Sequence, residues 1–432
     1  FSGRVHAGKS DFFGKKFAFS YEKFAFDLEN IDSVRLKVET GELDESGKPK
    51  LAALKSSLQN LTGTLYIDSL NNKSGRKNYP AYPVFVSEKE SYVYYDDPSI
   101  YNSVYSRDQF YFKMDPFTID SLDNFAKSGM SFEGEFNPAG IFTASREKLV
   151  VRPDYSFGFE KETPAEGLAA YGGKGRFFDH LDLSFQGLRG KGHIDYLSSQ
   201  THAEEFVFFP DSATSTKAQF ELTEQTVAGT AFPQASGHDV LMCWQPKADK
   251  MLINKSLDNL SLYNKKVDLN GNLVLAKKGL SGNGRAFYTE SELISGNFYF
   301  QPNVYGADTS DFNLKSDDQN VMAISTKNVK SKIDMEKRYG DFVSNGSGSY
   351  VSFPLNQYIC FIAQFRWYMD KKEVEINDDP SNTKLNIQGS DFVSVHPFQD
   401  SLKWNAGTAR YSLVDYLIKA RKVKEILVAD AS

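Results

Sequence analysis

The chain has little sulfur chemistry to offer: two cysteines, Cys243 and Cys360, in 432 residues. Both sit in apolar runs, Leu241-Met242-Cys243-Trp244 and Tyr358-Ile359-Cys360-Phe361, and neither has a second ligand at CxxC spacing. Zinc therefore has no support. Buried free thiols are the plain reading, and two residues leave their pairing open. Positive charge is not in excess, with 50 Lys and Arg against 56 Asp and Glu and a net charge of −6. Nothing is left over to neutralise phosphates, which argues against nucleic acid as a partner. No apolar stretch reaches the roughly 18–20 residues of a membrane-crossing helix. No GxSxG, HExxH, GxxxxGK[ST] or catalytic Cys–His signature is present, and no cofactor is implied.

What is abundant is aromatic and flexible: 35 Phe, 23 Tyr and 31 Gly. Phe and Tyr favour pleated, half-buried surfaces. Apolar residues alternate in short runs such as Leu181-Asp182-Leu183, Phe206-Val207-Phe208 and Phe298-Tyr299-Phe300, bounded by Gly, Asn, Asp and Pro. That period of two is a strand signal, repeated roughly every 8–14 residues. The expectation is an all-β protein, an elongated repeat-built array of short strands resembling a β-solenoid or β-jellyroll. Two segments read as helix, Leu51 to Leu61 and Ser412 to Lys422, the second with Leu413, Tyr416, Leu417 and Ala420 on one face.

A repeat organises the middle of the chain. Gly187-Leu188-Arg189-Gly190-Lys191-Gly192 matches Gly279-Leu280-Ser281-Gly282-Asn283-Gly284 at an offset of 92. The same offset pairs Tyr171 with Tyr263, Tyr196 with Tyr288, Ser199 with Ser291, Phe208 with Phe300 and Pro210 with Pro302. Over 171–222 against 263–314, 15 of 52 positions are identical without a gap. Composition alone gives about three or four. Weaker echoes extend the pattern outward. The expected organisation is an N-terminal β segment with a short helix at 1–78, a degenerate repeat at 79–170, repeats at 171–262 and 263–354, and a degenerate repeat with a short helix at 355–432. One such unit cannot bury its apolar face alone, whereas stacked neighbours share a core.

Few constellations suggest chemistry. The GLxGxG motifs are followed by strand-like residues rather than a helix, so they read as turn glycines, not a dinucleotide fingerprint. His180, His193 and His202 are near in sequence, but their repeat equivalents are Asn272, Arg285 and Ile294. Carboxylates cluster at Asp96-Asp97, Glu204-Glu205, Asp308/Asp311, Asp317-Asp318 and Asp378-Asp379, without the glycine and distal glutamate of an EF-hand. One stretch stands out: Tyr92, Tyr94, Tyr95, Tyr101, Tyr105 and Tyr111 lie within twenty residues of one another. Exposed, they form a binding surface for sugar or protein; buried, they are an ordinary strand pair.

Three further segments carry a resemblance: Leu269-Asn270-Gly271-Asn272-Leu273-Val274-Leu275, Gly279 to Gly284, and Ser295-Gly296-Asn297-Phe298. Their cadence resembles OstA/LptA-like lipopolysaccharide-transport β-jellyrolls and AsmA/TamB-like envelope proteins. Tyr171-Gly172-Gly173-Lys174-Gly175, Phe209-Pro210-Asp211-Ser212 and Val428-Ala429-Asp430-Ala431 look like segments of very large Bacteroidota envelope β-repeat proteins. The resemblance covers about residues 130–432. It implies export, residence in the periplasm or at the outer membrane, and no catalytic residues. The chain opens at Phe1 without an initiator Met and stops just after an apolar run, so it is expected to be a piece of a longer protein. Three functional readings follow: a non-enzymatic scaffold that presents surface to protein partners, a lipid-binding or lipid-transfer segment with an apolar groove, and a carbohydrate-active β-helix enzyme.

Overall fold

Alternation of apolar and polar residues is realised almost everywhere as strand. The computed structural model describes residues 1–43, 45–123, 130–318, 321–346, 348–377, 390–399 and 402–428. Strands make up 64% of the chain, and no α-helix occurs among the described residues. Every described strand pairing is antiparallel, as in Ser10–Ser20 with Ala25–Leu43 and Lys403–Ser412 with Ile418–Leu427.

Neither expected helix forms. The first segment is divided between the strands Pro49–Ala53 and Leu58–Tyr66. Asn60 has φ +59, which a helix interior does not accept, and Gly63 packs so closely that a Cβ would lie 2.2 Å from the Val86 carbonyl oxygen. The second segment is a hairpin: Tyr411 pairs with Ile418, and Tyr416 turns the chain at φ +56. Of its supposed apolar face, Leu417 is exposed and Leu413, Tyr416 and Ala420 are half-buried, so none joins the core.

The chain divides into two compact units, Phe1–Ile194 with Ala203–Thr214, and Asp195–His202 with Ser215–Ser432. This division cuts through the segment 171–262.

In the first unit, strands Gly3–Ala7, Ser10–Ser20, Ala25–Leu43 and Leu58–Tyr66 lie side by side. Long strands meet two shorter ones end to end. Leu58–Tyr66 is bordered by both Val84–Ser87 and Ser91–Tyr94, and Gly175–Ser184 by both Phe157–Glu162 and Leu168–Ala170. The core is aromatic: Phe12 on Phe85 at 5.0 Å, Phe117 on Phe132 at 4.6 Å, Tyr105 on Phe110 at 4.1 Å and Phe136 on Phe159 at 5.2 Å. Edge-to-face and offset contacts of this kind add to simple area burial.

The second unit contains a closed barrel of ten strands with further strands outside it. Val304–Lys315 carries two strands on one edge, Met322–Lys327 and Val329–Asp334, separated at Asn328, whose φ is +53. From there two tracks diverge. One runs through Val329–Asp334, Tyr339–Ser344, Gln364–Tyr368 and Glu373–Asn377. The other runs through Met322–Lys327, Tyr350–Phe353, Tyr358–Phe361 and Ser390–Ser394. Both rejoin on Lys403–Ser412, which closes the ring. The sequence pointed to an open array; closure replaces stacking as the way these strands lose their edges.

Aromatic rings pack against one another in the barrel interior. Phe312 meets Phe342 at 4.2 Å, Phe342 meets Phe365 at 4.6 Å and Phe353 meets Tyr411 at 4.9 Å. A void beside Val329, Val351, Ile362 and Phe365 measures only about 10 Å³, roughly one water.

The 92-residue offset is visible strand for strand. Gly175–Ser184, Gly187–Tyr196 and Ser199–Phe208 correspond at that spacing to Val267–Ala276, Gly279–Tyr288 and Ser291–Gln301.

Candidate functional site

The tyrosine-rich stretch folds into the strands Ser91–Tyr94 and Phe110–Met114, paired with Tyr94 opposite Tyr111 and Val93 opposite Phe112. Strand parity sorts the side chains. Val93, Phe110 and Phe112 are fully buried, while Tyr92, Tyr94 and Tyr111 occupy the other face, half-buried. Tyr92 and Tyr94 lie 5.7 Å apart and nearly parallel, and Tyr111 meets Tyr92 edge-on at 5.7 Å. The Arg107 guanidinium sits 4.7 Å from the Tyr94 ring centre, and its Nε donates to Asp96 at 2.7 Å. Asn60 Nδ2 donates to the Tyr94 hydroxyl at 3.2 Å, and Asn137 Nδ2 to that of Tyr111 at 3.4 Å. Partial burial raises the Tyr94 phenol above its ordinary value, and the bond to Asp96 holds Arg107 charged. The result is a row of rings engaged with one another and capped by a cation, a rigid patch of ring edges and hydroxyl groups.

The other three tyrosines do not join this patch. Tyr95 and Tyr105 point inward and are completely buried. The Tyr95 hydroxyl donates to the Phe157 carbonyl at 3.1 Å. That of Tyr105 donates to the Phe208 carbonyl at 2.8 Å and accepts from the Leu188 N–H at 3.2 Å. Desolvation drives both phenols well above the usual range. Tyr101 is exposed in a turn, packs on Phe209 at 5.1 Å and accepts from Arg189 Nη2 at 3.0 Å.

A second cluster had no signal in the sequence. Glu160, His180 and Asp182 bring ligand-type atoms within 4.8 Å of one another. Cross-strand register puts them there, with Glu160 opposite Asp182 and His180 opposite Glu162. Arg152 forms ion pairs with both Glu160 and Asp182, so this arginine already supplies positive charge between the carboxylates. Burial raises the Asp182 carboxyl, whereas the hydrogen bond from Arg152 lowers that of Glu160. The three neighbouring histidines of the sequence each have separate surroundings: His180 at Glu162, His193 stacked on Phe178 at 4.4 Å and His202 at Gln200.

The carboxylate pairs are likewise engaged. Asp308 pairs with Lys330 and Asp311 with Lys327, both across strands rather than in turns. Glu204 pairs with Lys191, and Glu205 with Arg189. Asp378-Asp379 lies outside the described residues.

A third feature lies on the barrel wall. Arg366 donates to Asp341 at 2.6 and 3.0 Å, with its guanidinium 4.3 Å from the Tyr339 ring centre. With Val343, Gln364 and Tyr368 it lines a groove of about 390 Å³. The bond to Asp341 raises the Arg366 pKa further. This pair belongs to a cross-strand row in which Lys332, Asp341, Arg366, Glu375, Arg410 and Lys419 occupy successive strands. Arg410 bonds both Glu373 and Glu375. From Lys332 to Arg410 the row sets opposite charges facing each other across strands, and Lys419 ends it on a like charge. The sequence hid it, because its members are spread over 332–419.

The positions shared between the two central repeats do different work. Gly192 and Gly284 both have positive φ, +136 and +122, and a Cβ there would lie 2.2 and 2.3 Å from the carbonyl oxygens of Phe178 and Asn270. Gly190 and Gly282 leave room for the rings of Phe208 and Phe300. Ser199 Oγ donates to the Tyr196 carbonyl at 2.8 Å, as Ser291 Oγ does to that of Tyr288 at 2.7 Å. No protein-family model, curated protein or solved structure matches the chain.

Proposed function

We propose that this protein is a non-enzymatic β scaffold, built in part from repeats, that presents its strand faces and edges to protein partners. One observation carries the reading. Apart from Lys174 and Lys266, the identities shared at offset 92 are glycines, buried apolar residues, a proline, and hydroxyls bonded to the main chain or buried. That is the pattern of a backbone being kept, not of a reactive site. The titratable clusters lie outside it: the equivalents of Glu160, His180 and Asp182 are Leu252, Asn272 and Val274.

The resemblance to envelope β-repeat proteins supports placing this scaffold in the periplasm or at the outer membrane. A lipid conduit needs an unfilled apolar strip, and the ring-on-ring packing of Phe312, Phe342 and Phe365, and of Phe353 and Tyr411, favours the scaffold instead. Native mass spectrometry with organic extraction, on protein purified without detergent, tests the choice. A bare mass of 48.6 kDa is expected. Stoichiometric acyl lipid released on denaturation would overturn the scaffold reading in favour of lipid transfer.

A further inference from the structure

We infer that the free edge of strand Ile418–Leu427 is a docking site for an acidic, extended segment of another polypeptide. The segment adds to the sheet as one more strand, with carboxylates beside Lys419 and Arg421. This rests on the scaffold reading and names where one partner sits.

The strand is bonded along its length to Lys403–Ser412, from Tyr411–Ile418 to Lys403–Leu427, and to no other strand among the described residues. Among the described residues its second edge is unpaired and presents a row of main-chain N–H and C=O groups, a template for strand addition. Unlike the strands of the barrel, it is exposed over most of its length, with Val423 and Ile426 43% and 57% exposed. Apolar side chains beside a free edge give an incoming strand something to cover.

Charge identifies the occupant. Lys419, Arg421, Lys422 and Lys424 stand against one acid, Glu425, on a chain whose net charge is −6. None of the four forms a salt bridge among the described residues, with Asp415 within Coulombic reach of Lys419, whereas Lys327, Lys330, Arg366 and Arg410 on the barrel wall are each paired. The cross-strand row of charges shows what is missing. It alternates through Lys332, Asp341, Arg366, Glu375 and Arg410, then ends on two like charges, Arg410 beside Lys419, at the free edge. A carboxylate on the next strand continues the alternation. A second copy is a poorer match, because each such edge brings four cations and the single carboxylate of Glu425, so Lys or Arg is left without an opposite charge in every register.

The test uses the full chain and a short labelled peptide of alternating glutamate and valine, with a lysine–valine peptide as control. Fluorescence anisotropy is expected to show the glutamate peptide binding, about tenfold more weakly at high salt. Hydrogen exchange is expected to slow in the amides of 418–427. The double variant Lys419→Glu, Arg421→Glu changes only exposed side chains; it is expected to keep its thermal midpoint, lose the glutamate peptide and gain the lysine peptide. Equal binding of both peptides by the wild type, unaltered exchange of these amides in the complex, or an indifferent double variant would each overturn the proposal. So would protection of the same amides by anionic lipid vesicles without the peptide, or by self-association on raising the protein concentration. Extracted lipid would remove the scaffold reading while leaving the peptide result standing, so the two failures are distinguishable.

Discussion

Tyr171 and Tyr263, 92 positions apart, hydrogen-bond to carbonyls that are also 92 positions apart. Tyr171 donates to Ser212 at 2.6 Å, and Tyr263 to Val304 at 3.0 Å. Both residues have positive φ, +49 and +55, so the repeat retains a strained turn together with the hydroxyl that ties it to a neighbouring segment. Replacing Tyr263 by Phe keeps the ring and removes the tie. A loss of about 1 kcal/mol is expected, read as a lower urea midpoint with unchanged slope. No change would mean that ring packing alone holds the turn.

Two glycines on neighbouring strands make a sharper comparison. Gly284 has φ +122 and a Cβ there would sit 2.3 Å from the Asn270 carbonyl oxygen, whereas nothing lies within 4 Å of a Cβ at Gly296. Gly284→Ala is expected to cost about 2–4 kcal/mol or prevent folding, and Gly296→Ala to stay within about 0.5 kcal/mol. Thermal denaturation of the pair distinguishes a backbone requirement from mere strand composition.

The barrel interior can be emptied at one position. Phe312 touches Phe342, Phe365 and Trp367, with ring centroids 4.2, 6.4 and 5.7 Å away. Phe312→Ala is expected to cost about 3–5 kcal/mol through lost burial and the cavity left behind. Recovery of stability on adding a small aromatic such as benzene would show that the cavity persists, while a loss below about 1 kcal/mol would contradict the packing described.

Alkaline pH offers a test with a defined sign. Burial holds the phenols of Tyr95, Tyr263 and Tyr305 above their ordinary value of 10.0, and the thiol of Cys360 above 9.0. The folded pKa values exceed the unfolded ones, so the native state binds these protons more tightly. Their stabilising contribution is complete below about pH 8 and is lost as pH rises from the ordinary values of 9.0 for the thiol and 10.0 for the phenols through the raised folded ones. Phenolate absorbance from these buried rings is expected to rise only together with loss of the β circular-dichroism signal. A single smooth titration at constant dichroism would show that water reaches the buried rings.

Much of the fold was legible, because a period of two survives in any strand with one buried face. Phe206 and Phe208, or Leu273 and Leu275, announce themselves without knowledge of their partners. The repeat was legible for a related reason: glycines at +136 and +122 leave no alternative residue. Helical spacing misled at Leu413, Tyr416 and Leu417, where the same intervals arise across a hairpin turn. Barrel closure was hidden, since it depends on which distant strands meet. For the site, parity predicts Tyr92 and Tyr94 on one face, and it also separates Tyr95 from them. Arg107 reaches Tyr94 from the connecting loop, and Arg152 reaches Asp182 across 30 positions, distances at which local pattern carries no information.

Closure of the ten-strand ring has a mechanical consequence. A strand at the margin of an open sheet peels away one bond at a time, as Ile418–Leu427 can from its single neighbour. Within the ring every track is held on two sides, and the tracks share Val304–Lys315 and Lys403–Ser412 as common seams. Tension applied near residue 427 therefore meets a weak zipper first and a clamped hoop behind it. Among the described residues the hairpin yields first, and the hoop behind it keeps its shape.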